Sequence, residues 1–193
     1  MNNIINSLTR MHGRAFTALQ TATQGWLLGL AARLVFAATL LIYFWRSAAT
    51  KLGDGVFGFL SPSDGAYIQI FPRAFEAAGY DSSALGAQHH LIAMLGIWAE
   101  FTLPAFIVAG LFTRLASLAF IGFIAVMTIV DIFGHAVDPA TIGAWFDGNP
   151  SSLISDQRFL WVFLLLVLVV QGGGKMSLDQ LLASSRSRPA TLT

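Results

Sequence analysis

The sequence predicts an all-α membrane protein: a four-transmembrane-helix bundle with an N-terminal amphipathic helix and a short helical segment in the first external loop. Three observations carry that reading. Only 11% of the 193 residues are charged, against about a quarter in soluble domains. Mean hydropathy is +0.68. Four apolar stretches, near 26–45, 90–112, 115–133 and 156–171, approach the ~20 residues a helix needs to cross the hydrocarbon core.

Residues 1–25 form the first segment. Ile4, Ile5, Leu8, Met11, Ala15, Phe16 and Leu19 recur at helical spacing, and Arg10, His12 and Arg14 supply polar groups. This reads as an amphipathic helix lying on a membrane surface. Trp26 and Trp45 bracket the first span, with Arg33 inside it. In the long loop that follows, Ile68, Phe71, Phe75 and Ala78 keep near-helical spacing up to Gly79, and Pro72 requires a break or a fresh start near Phe71. A tight turn at Thr113-Arg114 separates the second and third spans. The fourth begins near Asp156, but its purely apolar part, Phe159 to Val170, is short for a full crossing. Its start is therefore expected to border polar protein or a water-filled recess. Gln171-Gly172-Gly173-Gly174-Lys175 follows a membrane helix, lacks phosphate-loop spacing, and reads as a helix stop. The membrane domain covers 26–182, and the Ser-, Arg- and Pro-rich residues 183–193 read as a disordered tail.

Basic residues set the expected orientation. Arg10, Arg14, Arg114, Lys175, Arg186 and Arg188 fall on one side of a four-crossing chain, so both termini are expected in the cytoplasm. A net charge of +1 points to no nucleic acid. The absence of cysteine excludes disulfides, thiolate metal sites and iron–sulfur clusters on this chain. The histidines show no metal-ligand spacing, so no metal site is expected.

The candidate site residues are the ionisable groups inside the apolar stretches. Glu100 lies about three turns from either end of the second stretch, and a carboxylate there marks a functional site by default. Pro104, four residues on, has no N–H, so the Glu100 carbonyl loses its helical donor. Arg33 is the simplest partner for Glu100; the alternative is that it reaches the inner headgroups. A second cluster gathers toward the outer face. Asp131 and His135 are four residues apart with Thr128 on the same helical face, and His90, Asp156 and Arg158 start the neighbouring spans at that level. Histidine titrates near neutral pH, so this cluster could relay protons.

The chain also resembles the DoxX family of small four-helix membrane proteins. Arg33-Leu34-Val35-Phe36 followed by Lys51-Leu52, Ala99-Glu100-Phe101 through Gly110-Leu111-Phe112-Thr113-Arg114-Leu115-Ala116, and Gly172-Gly173-Gly174-Lys175-Met176-Ser177-Leu178-Asp179 carry the match. The resemblance implies a bacterial inner-membrane bundle tied to membrane oxidoreductases. One archaeal relative is a thiosulfate:quinone oxidoreductase subunit. Others accompany superoxide dismutase with a sulfurtransferase, or catechol and quinone detoxification. Arg33, Glu100 and Arg114 carry over as recurring polar positions, with no agreed catalytic residue among them.

Three functions compete. The first is a redox subunit that binds a membrane quinone in a Phe-lined slot, with Arg33 or Glu100 as hydrogen-bond donor and electrons from a soluble redox partner. The second is a non-catalytic anchor that recruits a soluble enzyme. The third is a proton-coupled carrier of small solutes. Residue patterns leave the oligomeric state open.

Overall fold

A computed structural model describes residues 2–186. Among the described residues there is no strand beyond an isolated bridge between Leu52 and Pro62. Four helices are long and apolar enough to cross a membrane: Leu27–Ala49, Ala87–Ala109, Thr113–Gly134 and Leu153–Gln171. The first packs on the second and fourth, and the third does the same, closing a ring of four.

These bounds shift from the sequence reading by a few residues, each for a visible reason. The first span runs on to Ala49 because its last turn is stitched by the Lys51 amine, which donates to the Ser47 carbonyl and hydroxyl. The second span stops at Ala109 because Gly110 takes a left-handed conformation, φ 70°, that ends the helix. The fourth starts at Leu153, where the Ser152 hydroxyl and the Asp156 carboxylate cap each other's backbone N–H.

Aromatic rings fill the core. Phe36 and Phe44 of the first span, Phe120 of the third and Leu165 and Leu168 of the fourth are fully buried. Phe44 meets Phe120 edge-to-face at 4.7 Å between centroids, and Trp161 closes on Phe44 at 5.8 Å. Such pairs contribute about 0.5–1.5 kcal/mol each beyond their buried area.

The loop after the first span, the outer loop of the expected orientation, is partly helical. Helices Asp64–Ile70 and Pro72–Ala77 meet at Phe71, with Pro72 as the first residue of the second, so the expected helix is split by its proline. Ala66, Tyr67 and Phe75 bury against Ala93 and Ile97 of the second span. This outer layer packs on the second span and reaches the third, where a Cβ on Gly134 would come within 3.0 Å of Pro72.

The end of the bundle where the first span starts and the fourth ends, the inner end in the orientation expected from the basic residues, is latched by backbone-directed polar groups. The Arg33 guanidinium donates to four carbonyls: Ile107 at 3.2 Å, Val108 at 2.6 Å, Gly173 at 3.0 Å and Met176 at 2.8 Å. Asp179, on the C-terminal helix Leu178–Arg186, accepts from the N–H groups of Phe112 and Thr113 at 2.7 and 2.9 Å and from the Thr113 hydroxyl at 2.7 Å. It thus caps the third span from a distant part of the chain, where the helix dipole favours a carboxylate. Space is tight: a Cβ on Gly110 would lie 2.6 Å from Ser177 Cβ and 2.8 Å from Arg33 Cζ. The C-terminal helix reaches Arg186, so 183–186 are helical, and the remainder of the expected disordered tail, 187–193, lies outside the described residues.

Two outcomes follow from this latch. Gly110→Ala is expected to lower the unfolding temperature in detergent by at least the about 1–2 kcal/mol a left-handed alanine costs, because its methyl also displaces Ser177 or Arg33. Burial alone would raise the Asp179 carboxyl, but hydrogen bonds from Thr113 and Phe112 and the charge of Arg33 outweigh it and hold it below the ordinary carboxylate range. A carboxyl depressed by folding stabilises fully above its unfolded pKa of about 3.9 and loses that stabilisation as pH falls toward the folded value. Wild type should therefore lose stability below about pH 4 with a component that Asp179→Asn lacks, measured as unfolding temperature against pH.

Candidate functional site

Glu100 is 2% exposed, and its partner is Lys51, not Arg33. Lys51 Nζ lies 2.8 Å from Glu100 Oε2 and also donates to the Ser47 carbonyl at 3.1 Å and hydroxyl at 2.8 Å. All three ammonium protons are thereby used, which is what a buried lysine requires. The expected Arg33–Glu100 pair is corrected on this point: Arg33 is engaged by four carbonyls at the inner end, and Glu100 is paired with Lys51 instead. Lys51 starts two residues past Ala49, so Glu100 sits within reach of the outer end of the first span.

Pro104 is buried inside an unbroken helix. Beside the Glu100 carbonyl that its ring deprives of a donor, the Phe101 carbonyl accepts from the Trp45 indole at 3.1 Å. The prolyl segment thus joins the first and second spans.

A second ion pair joins the third and fourth. Arg158 is 4% exposed; Nη2 bonds Asp131 Oδ2 and Nη1 donates to Thr128 Oγ1 at 2.8 Å. Arg158 Nε is buried with no partner among the described residues. Both charged groups stand on π-helical turns, Val130–Gly134 and Leu153–Arg158. Such turns add a residue per turn and are frequent at functional sites, where they re-aim side chains.

The two pairs face one cavity of about 580 Å³ in the outer half of the bundle. Its walls are mostly apolar, and small residues make the room: Gly96 and Ala99 on the second span, Ala119 and Gly122 on the third. Tyr43 and His135 also line it. Nε2 of His135 lies 3.1 Å from the Gln69 carbonyl. A carbonyl only accepts, so Nε2 is the donor in this contact and Nδ1 is left as the acceptor nitrogen.

Of the outer cluster expected from sequence, the structure brings Asp131, His135, Arg158 and Thr128 together. His90 and Asp156 stand apart from the cavity. His90 Nδ1 lies 3.0 Å from the Tyr67 hydroxyl in the outer layer, and Asp156 caps the start of the fourth span. Sequence reasoning missed Lys51 as the partner of Glu100, and Asp179 as a cap. Ser47 four residues before Lys51, one helical turn apart, was the available signal for the first; nothing local announces the second.

No protein-family model, curated protein or solved structure matches the chain.

Breaking either partner of the Lys51–Glu100 pair leaves an uncompensated buried charge. Lys51→Met alone is expected to cost about 3–5 kcal/mol, and the Lys51→Met/Glu100→Met double variant to unfold closer to wild type than that single variant. Thermal unfolding of the four proteins of this cycle in lipid bicelles reads the coupling.

Proposed function

We propose that this chain is a quinone-binding membrane subunit of a redox system, built on the DoxX plan, held in a bacterial inner membrane with both termini in the cytoplasm. The observation that carries the reading is the apolar cavity walled on two sides by buried ion pairs. A quinone needs a flat apolar slot, hydrogen-bond donors at its carbonyl oxygens and a route for protons. The cavity supplies the slot between the second and third spans. Arg158 lines the cavity, and only two of its five N–H groups are bonded, to Thr128 and Asp131, so it is the donor. Lys51 has no proton to spare, so the Lys51–Glu100 pair acts as a polar wall and not as a donor.

Reduction of a quinone to a quinol takes two electrons and two protons. His135 and the partly exposed Asp131, at the outer end of the third span, connect the cavity to the outer surface and are the proton route. Electrons come from a soluble redox partner, since a chain without cysteine carries no thiolate relay of its own. The DoxX likeness is supported by the latch: Arg33, Gly110, Thr113, Gly173, Ser177 and Asp179, all within the segments that carry the resemblance, converge at the inner end.

The test is a titration of the protein in lipid nanodiscs with a short-chain benzoquinone, following tryptophan emission. Trp161 lies 5.6 Å from the ring of Tyr43, which lines the cavity, and reports an occupant. Saturable quenching is expected in wild type. Gly122→Leu should abolish it without unfolding the bundle, because nothing lies within 4 Å of a Cβ at that position. Arg158→Lys should weaken it about tenfold, the cost of one hydrogen bond to a charged donor. Linear quenching insensitive to both substitutions overturns the reading.

A further inference from the structure

The N-terminal helix, Asn2–Thr23, is the one long element that the bundle does not use. Every residue from 5 to 22 is exposed. Ile5, Leu8, Met11, Phe16 and Leu19 are more than half exposed, and they share one helical face by their spacing. His12 lies on that face and its ring stacks near Phe16 at 4.4 Å between centroids, so its edge joins the apolar stripe. A lone helix of this length is marginal in water, and five large apolar side chains left in solvent need cover.

Charge indicates the cover. Arg10 and Arg14 project among Asn, Ser and Thr, and no acidic residue occurs before Asp54. Neither arginine is held by an ion pair among the described residues. The helix is also tethered at the bilayer: only three residues separate its end at Thr23 from Leu27, where the first span begins, and the joint turns at Gly25, φ 79°. The Trp26 indole at this joint donates to the Ala22 carbonyl at 2.7 Å, placing an interfacial aromatic between the two helices.

We propose that this helix docks on the anionic phospholipid surface of the leaflet at which the first span begins, apolar face down and Arg10 and Arg14 toward phosphate groups. The tether removes most of the cost of finding the surface, so a modest apolar face and two charges suffice. The inference is independent of what the cavity binds.

The experiment is amide hydrogen exchange of the full chain in nanodiscs of phosphatidylcholine alone or with 30 parts per hundred phosphatidylglycerol (about one lipid in three). Two basic residues at such a surface correspond to about a 30-fold change in occupancy. Residues 5–22 are expected to exchange about 30-fold more slowly in the anionic discs. Arg10→Gln/Arg14→Gln should return them to the rate seen in phosphatidylcholine, and Leu8→Glu/Phe16→Glu should remove protection in both. Exchange of the span Ala87–Ala109 serves as the internal control, since neither double variant touches the bundle. Equal exchange in the two lipids, or protection indifferent to the arginines, overturns the proposal. So does protection seen only in discs loaded with two copies, which would assign the face to a second copy of the chain.

Discussion

A carboxylate taken out of water has to be neutralised where it stands, and in this protein Lys51 does that for Glu100. The desolvation cost of each ion is several kcal/mol, and it is offset only when the partner is close and its remaining protons are bonded. Lys51 meets both conditions through Glu100 and Ser47. The consequence is geometric. The chain leaving the first span has to pass over the side of the second at the level of Glu100, which brings the outer loop down onto Ala93 and Ile97. That layer in turn supplies Gln69 and Ile70 to the wall of the cavity. Removing the ion pair would therefore free the loop, the outer layer and one wall together.

The cavity itself has a simple origin. Where the second and third spans face each other around the middle of the bundle, the sequence offers Gly96, Ala99, Ala119 and Gly122, and small side chains leave volume unless the backbones close on it. Two ion pairs border this space, each tying one of these spans to a different neighbour: Glu100 to the end of the first, Asp131 to the fourth.

Polar residues divide between the two ends by what they bond. At the inner end Arg33 and Asp179 are directed to backbone groups, closing carbonyls left by a helix that stops at Ala109 and N–H groups of one that starts at Thr113. Groups so saturated hold the fold and offer little to a ligand. At the outer end Arg158 keeps an N–H without a partner and His135 keeps a ring nitrogen. The two buried arginines thus differ in surroundings: four carbonyls enclose the Arg33 guanidinium, whereas Arg158 borders the cavity.

Much of this architecture was legible in the residue order, because span length, apolar composition and turn residues are local properties. The four crossings, the break at Pro72, the stop at Gly172 and the polar start of the fourth span all follow from segments shorter than a helix. The common face of Asp131 and Thr128 was equally local, and Arg158 came to it. What only the tertiary structure decided was pairing at a distance. Lys51 and Glu100 are 49 positions apart, and Asp179 caps a helix 66 positions before it. Arg33 was as plausible a partner for Glu100 by depth as Lys51 was by charge. Helix rotation and the path of the first loop chose between them, and neither is written in the spacing of any one segment, because both depend on how the aromatic core of four spans packs at once.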